Sequence, residues 1–106
     1  MYKPLPESLT IKQSGINGLG LFADQDIKQA TNLGMSHLKI KDTIFRTPLG
    51  GFINHSNTPN VVKAELLMTN ENNPKQKFDY KKWNLVTLRD IKKGEELTVR
   101  YTFYNV

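Results

Sequence analysis

Apolar and polar residues alternate in short runs along this chain, and the runs are spaced as strands. Ser8-Leu9-Thr10-Ile11-Lys12-Gln13 puts Leu9 and Ile11 on one face and is predicted to be a half-buried strand. Leu21-Phe22-Ala23 is a short apolar run that stops at Asp24, and Asp26 to Asn32 reads as a helical turn or a loop. Between His37 and Phe45, Leu38, Ile40 and Ile44 give two strand signals around Lys41-Asp42, and Thr47-Pro48-Leu49-Gly50-Gly51 predicts a turn leading into Phe52-Ile53. Asn54 to Asn60 is a polar loop. Val61 to Thr69 is a strand, Asn70 to Pro74 a turn, and Trp83 to Leu88 the return arm of a hairpin. Asp90 to Glu96 is a tight turn, and Leu97-Thr98-Val99-Arg100-Tyr101-Thr102-Phe103 alternates as a final strand.

No segment keeps a 3.6-residue apolar period over the roughly 10–12 residues that a helix needs to be read from pattern alone. The expected fold class is therefore mostly β, with short strands. Asp26-Ile27-Lys28-Gln29-Ala30-Thr31-Asn32-Leu33 is echoed by Asp90-Ile91-Lys92-Lys93-Gly94-Glu95-Glu96-Leu97, which suggests two similar turn-then-strand units and a pseudo-symmetric core.

Composition narrows the chemistry. The 106 residues are 38% hydrophobic and suit one domain with a modest core; two lobes around a deep cleft would need a longer chain. There are no cysteines and two histidines, His37 and His55, so thiolate zinc sites and cysteine nucleophiles are excluded and no metal is expected. No apolar run is long enough to span a membrane, and the first residues lack the apolar stretch of a secretory signal, so a cytoplasmic or nuclear location is expected. The net charge of +5 leaves nucleic acid and acidic protein partners open. The stretch Lys75 to Trp83 interleaves lysines with aromatics, as a single-strand platform would, but an ordinary solvated hairpin explains it better.

Three segments could carry chemistry. Gly15-x-x-Gly18-x-Gly20 has the spacing of the dinucleotide fingerprint reversed and no long helix after it, so it reads as a turn whose backbone can approach another group closely. Gly51-Phe52-Ile53-Asn54-His55-Ser56-Asn57-Thr58-Pro59-Asn60 concentrates hydrogen-bonding side chains just after an apolar run, in a loop expected to be half buried. His55 and Ser56 are adjacent rather than opposed, so no hydrolytic triad is implied. In Lys93 to Tyr101, an aromatic near the end of an alternating strand is by itself ordinary core.

Taken in order, Gly18-x-Gly20, Asn54-His55-Ser56-x-x-Pro59-Asn60 and Arg89-Asp90-Ile91-x-x-Gly94-Glu95-Glu96-Leu97-Thr98-x-x-Tyr101 resemble the SET domain family, protein-lysine methyltransferases that use S-adenosylmethionine. The resemblance covers Leu9 to Asp26 and Gly50 to Tyr104, with a shortened insert over residues 27–49, and treats 1–106 as one domain. It implies a β-clip fold of several small sheets with a C-terminal pseudoknot. It implies that Gly18, Leu19 and Gly20 lie against the methionine part of the cofactor and that Asn54 and His55 meet its amino-acid and adenine ends. Tyr101 would be the catalytic tyrosine, also touching the cofactor, and Phe52, Val99, Phe103 and Tyr104 would line the substrate channel. The implied partner is a lysine-bearing protein or peptide, in a host compartment if the source is viral, with nucleic acid disfavoured.

The chain departs from the family pattern at three places. The insert has no tyrosine where the family usually carries another active-site aromatic, since the four tyrosines are Tyr2, Tyr80, Tyr101 and Tyr104. No cysteine-rich zinc segment closes the lysine channel, which leaves Phe103 and Tyr104, or a second subunit in a homodimer, to complete it. Val99 stands where some members carry the aromatic that sets the number of methyl groups added. The alternative is a non-catalytic β-clip, or a degenerate SET domain that only binds protein.

Overall fold

The computed structural model describes residues 5–68 and 80–101. Among the described residues the strands are β1 (Leu9–Gln13), β2 (Leu19–Ala23), β3 (Asn32–Ile40), β4 (Thr43–Arg46), β5 (Asn54–His55), β6 (Val61–Met68), β7 (Tyr80–Thr87) and β8 (Glu96–Val99), with one short helix, α1 (Pro48–Phe52). They form two four-stranded sheets, ordered β1-β2-β8-β5 and β4-β3-β7-β6. Neighbours are antiparallel except β5 and β8, which pair in parallel through Asn54 with Thr98 and His55 with Val99.

The predicted mostly-β architecture is present, with differences at the edges of elements. The strand signals around Lys41-Asp42 are β3 and β4, but β3 begins at Asn32, because two register shifts against β7 (between Asn32 and Gly34, and between Met35 and His37) break its alternation. Gly34, at φ 120°, sits at the first of these irregularities. Thr47 to Gly51 was expected as a turn, and residues 48–52 form a single helical turn. Pro48 starts it, while Thr47 turns its hydroxyl to the Met35 carbonyl, 2.6 Å away, instead of capping the helix. A side chain at Gly50 would run into the Ser36 carbonyl and the His37 ring, so this glycine lets α1 lie directly on β3. The final strand ends at Val99, so Tyr101 lies beyond the ladder rather than within it. The Asn70–Pro74 turn falls outside the described residues.

The core is where the sheets meet. Leu9, Leu21 and Leu97 from one sheet, Leu33, Val61 and Leu85 from the other, and Leu49 and Ile53 around α1 are all buried.

The sequence echo is a structural pseudo-dyad. Ile27 and Ile91 exchange both backbone bonds at 2.7 Å. Around them the bonds are reciprocal: the Asp90 carboxylate accepts from the Gln29 amide at 2.7 Å and the Asp26 carboxylate from the Lys93 amide at 2.9 Å. Likewise Ala30 donates to the Thr87 carbonyl and Gly94 to the Ala23 carbonyl. Each unit turns at its fifth residue with positive φ, 63° at Ala30 and 92° at Gly94. One half uses the residue suited to that conformation and the other carries a Cβ there. Ala30→Gly is therefore expected to raise stability by about 1 kcal/mol, which is several degrees in Tm for a domain of this size. Thermal unfolding followed by circular dichroism checks this; an unchanged or lower Tm contradicts it.

Candidate active site

The buried amide of Asn54 draws three distant segments together. Its Nδ2 lies 3.2 Å from the Asn17 carbonyl, 3.3 Å from the Leu19 carbonyl and 2.9 Å from Glu96 Oε2. The Glu96 carboxylate also accepts from the Ser14 hydroxyl at 2.8 Å, and that hydroxyl in turn accepts from the Ile16 amide. The whole 14–19 turn is thus tied to the middle and the end of the chain. Gly20 is buried under this knot, where a Cβ would collide with the Glu96 carboxylate and crowd the Asn54 amide. Gly18, at φ 49°, shapes the turn and stays exposed, as does Leu19. The close approach that the glycine spacing foretold is made by Gly20, against protein side chains.

Asn60 fixes the other side of the loop. Its buried side chain imitates a peptide unit: Nδ2 donates to the Glu96 carbonyl at 2.9 Å and Oδ1 accepts from the Thr98 amide at 2.8 Å. The loop between Asn54 and Asn60 is therefore clamped to β8 at both ends, and Ser56 adds a backbone bond to the Val99 carbonyl.

β8 ends against this loop, which brings Tyr101 onto His55. The Tyr101 amide donates to His55 Nδ1 at 2.9 Å, so the imidazole is held as its Nε2–H tautomer, with Nε2 3.2 Å from Asn57 Oδ1. The two rings lie 5.1 Å apart, and Arg100 steadies the segment by donating to the Asn57 carbonyl. The Tyr101 hydroxyl donates to the Ile53 carbonyl at 2.8 Å. Burial pushes this phenol above its ordinary range, partly offset by Arg46, so it is protonated at neutral pH.

Cations surround it. Lys63 Nζ is 5.9 Å from the centre of the Tyr101 ring, and Arg46 acts on both Tyr101 and His37. His37 is buried on β3 with Nδ1 3.0 Å from the Ser36 hydroxyl, and is pushed down to about 4, first by burial and then by Lys63 and Arg46. Among the described residues, no group of three or more histidine and acidic side chains could hold a metal.

Of the expected site residues, Gly18, Leu19, Gly20, Asn54, His55 and Tyr101 belong to one connected region. Phe52 is half buried on α1 against the core, and Val99 is buried in the core while also bordering a groove beside Lys63. Phe103 and Tyr104 lie outside the described residues. Glu96, Asn60, Arg46 and Lys63 were not singled out from sequence. Glu96 and Asn60 sat within recognised motifs, but only the fold shows that they bind the segments together. The single-strand platform loses its main aromatic: Trp83 is buried on β7, and Lys81 is paired with Glu65 at 3.3 Å.

Two small twisted sheets joined through a pseudo-dyad, with a polar loop clamped to the end of the last strand, define a β-clip domain. The sequence pattern of the SET domain matches residues 35–102, and the chain belongs to the SET domain family. Its fold is similar to the crystal structure of a Plasmodium falciparum protein described as a "putative histone methyltransferase", at a TM-score of 0.67, 15% identity, and coverage of 93% of this chain and 96% of that one. No curated protein matches the chain in sequence.

Glu96→Gln replaces one acceptor oxygen of the knot with a donor, facing either Ser14 or Asn54. It is expected to lower stability by about 1–3 kcal/mol, and Asn54→Asp, which sets two carboxylates face to face, by more. Urea unfolding measures both, and midpoints equal to that of the parent chain would contradict the tether.

Proposed function

We propose that this chain is an S-adenosylmethionine-dependent protein-lysine N-methyltransferase, with Tyr101 as its catalytic residue. The observation that carries this reading is the pair of oxygens made by the Tyr101 hydroxyl and the Ile53 carbonyl, 2.8 Å apart, beside the loop that holds the Gly18–Gly20 turn. A methyl group on a sulfonium carries partial positive charge on its hydrogens, and neutral oxygens are the acceptors that suit it. The neutral state of the phenol and its fixed donation to Ile53 leave its remaining lone pairs available.

S-adenosylmethionine supplies an electrophilic methyl group when bound. The residues at hand fit it. The exposed residues Gly18 and Leu19 would face the amino-acid end, near the Glu96 carboxylate, and the Asn54–His55 segment and the His55 ring border Tyr101. The passage of the segment after β8 beside the 53–57 loop, held by the bonds of Tyr101 to Ile53 and His55 and of Arg100 to Asn57, is read as the family's pseudoknot crossing.

The chain's own work is to position and desolvate. A lysine amine has a lone pair only when neutral, and at pH 7 an ordinary lysine lies about 4.6 kcal/mol from that state. Burial beside Tyr101 disfavours the ammonium, and the nearby Arg46 cation disfavours it further. The phenol then orients the amine, and alignment supplies much of the acceleration. The substrate is a lysine-bearing protein or peptide.

The test combines binding and transfer. The chain is expected to bind S-adenosylhomocysteine by calorimetry and to transfer label from S-adenosylmethionine to a panel of lysine-rich proteins. Tyr101→Phe should leave that affinity nearly intact while cutting turnover roughly a hundredfold or more. Unchanged turnover would remove Tyr101 from its role. A folded chain that neither binds nor transfers would be a non-catalytic β-clip module.

A further inference from the structure

Lys63 occupies an unusual place for a lysine. It is the third residue of β6, paired with Leu85 of β7, and strand alternation puts it on the same face as Val61, which is fully buried. Its stem therefore runs inward, and its amine lies over the Tyr101 ring at 5.9 Å from the centroid, within cation–π range. Lys63, Val61 and Val99 border a largely apolar groove of about 280 Å³. Desolvation holds the amine below the usual lysine range. Among the described residues, the charged and titratable groups around it include Tyr101, Arg46 of β4, His37 of β3, Arg100 on the same groove and, two positions along its own strand, Glu65, which pairs with Lys81.

We infer that Lys63 is a methylation site of this chain, modified in cis by the Tyr101 centre. The inference rests on the methyltransferase reading and extends it to a substrate that the fold itself supplies. The acceptor that this chemistry requires is a partly desolvated lysine amine beside the catalytic phenol, and β6 delivers one. Four rotatable bonds in the lysine stem let Nζ move from above the ring toward the hydroxyl without any change in the strand. The proton leaves Nζ to water first. The nitrogen lone pair then forms the N–CH₃ bond, and the broken C–S pair stays on sulfur, converting the sulfonium donor to a neutral thioether. Because acceptor and catalyst share one chain, the step is unimolecular.

The experiment uses the full chain and has two arms. Without cofactor, trace acetylation across a pH series is expected to give Lys63 a labelling midpoint below that of a free lysine side chain. The Lys63 ε-methylene protons should also lose their ring-current shift in Tyr101→Leu. A Lys63 that labels like free lysine and feels no ring would overturn the inference. With S-adenosylmethionine, intact-mass measurement and peptide mapping are expected to find methyl groups on Lys63, at a rate independent of protein concentration. Lys63→Arg should abolish the signal, and Tyr101→Phe protein offered as an acceptor to the parent chain should stay unmodified. Modification that speeds up with concentration would overturn the assignment in cis. A chain that binds the cofactor and methylates an added lysine peptide, yet leaves Lys63 untouched, would overturn this inference alone. A chain that does not bind the cofactor would overturn the function and the inference together.

Discussion

One buried primary amide holds the region together. Asn54 sits at the end of α1 on a two-residue strand, and its Nδ2 is shared among a carbonyl at Asn17, a carbonyl at Leu19 and the Glu96 carboxylate. These groups come from the start and the end of the chain. A buried amide left without partners costs about 1–3 kcal/mol, so the arrangement favours the one register in which all three segments meet. Gly20 follows from that constraint, because the turn must pass directly beneath the amide and the carboxylate. Tyr101 follows as well, since β8 is held in parallel with β5 and its continuation has to cross the His55 ring.

The same constraint explains how so short a chain arranges a polar site over a small core. Ile53 and Asn54 are neighbours, so the carbonyl that receives the Tyr101 hydroxyl and the amide that gathers the glycine turn lie one residue apart. Movement of this loop would shift both together. Asn60 prevents such movement by pairing its side chain with the β8 backbone as another strand would. The pseudo-dyad at Ile27 and Ile91 anchors the opposite end of β8 through the turn that leads into it.

Much of this was legible in the sequence, for reasons that can be located. Alternation revealed β1, which runs from the buried Leu9 to the exposed Lys12 and Gln13, while β6 and β7 showed as apolar runs on either side of an expected turn. The repeated Asp-Ile-Lys units were visible because both make the same reciprocal bonds. The motifs placed Gly18 to Gly20, Asn54, His55 and Tyr101 in one region, although nothing local connects them. What stayed hidden depends on tertiary contact. α1 has two glycines and no side-chain cap, and it is helical because Gly50 can press against β3. β3 was read short because its register shifts disrupt the period. Glu96 looked like one more acid in a charged turn, and Lys63 like one more lysine in a basic chain. Only the pairing of β6 with β7, and the crossing of Tyr101 over the loop, give them their places.

We propose that the glycine turn, the Asn54–His55 strand and Tyr101 form a single ligand-binding surface. Titrating ¹⁵N-labelled chain with S-adenosylhomocysteine, and following backbone amides by NMR, tests it most directly. The amides of Gly18, Leu19, Gly20, Asn54, His55 and Tyr101 are expected to shift together on one binding isotherm. Perturbations confined to the Ile27–Ile91 turns or to the β3–β4 hairpin, or none in a folded chain, would contradict it.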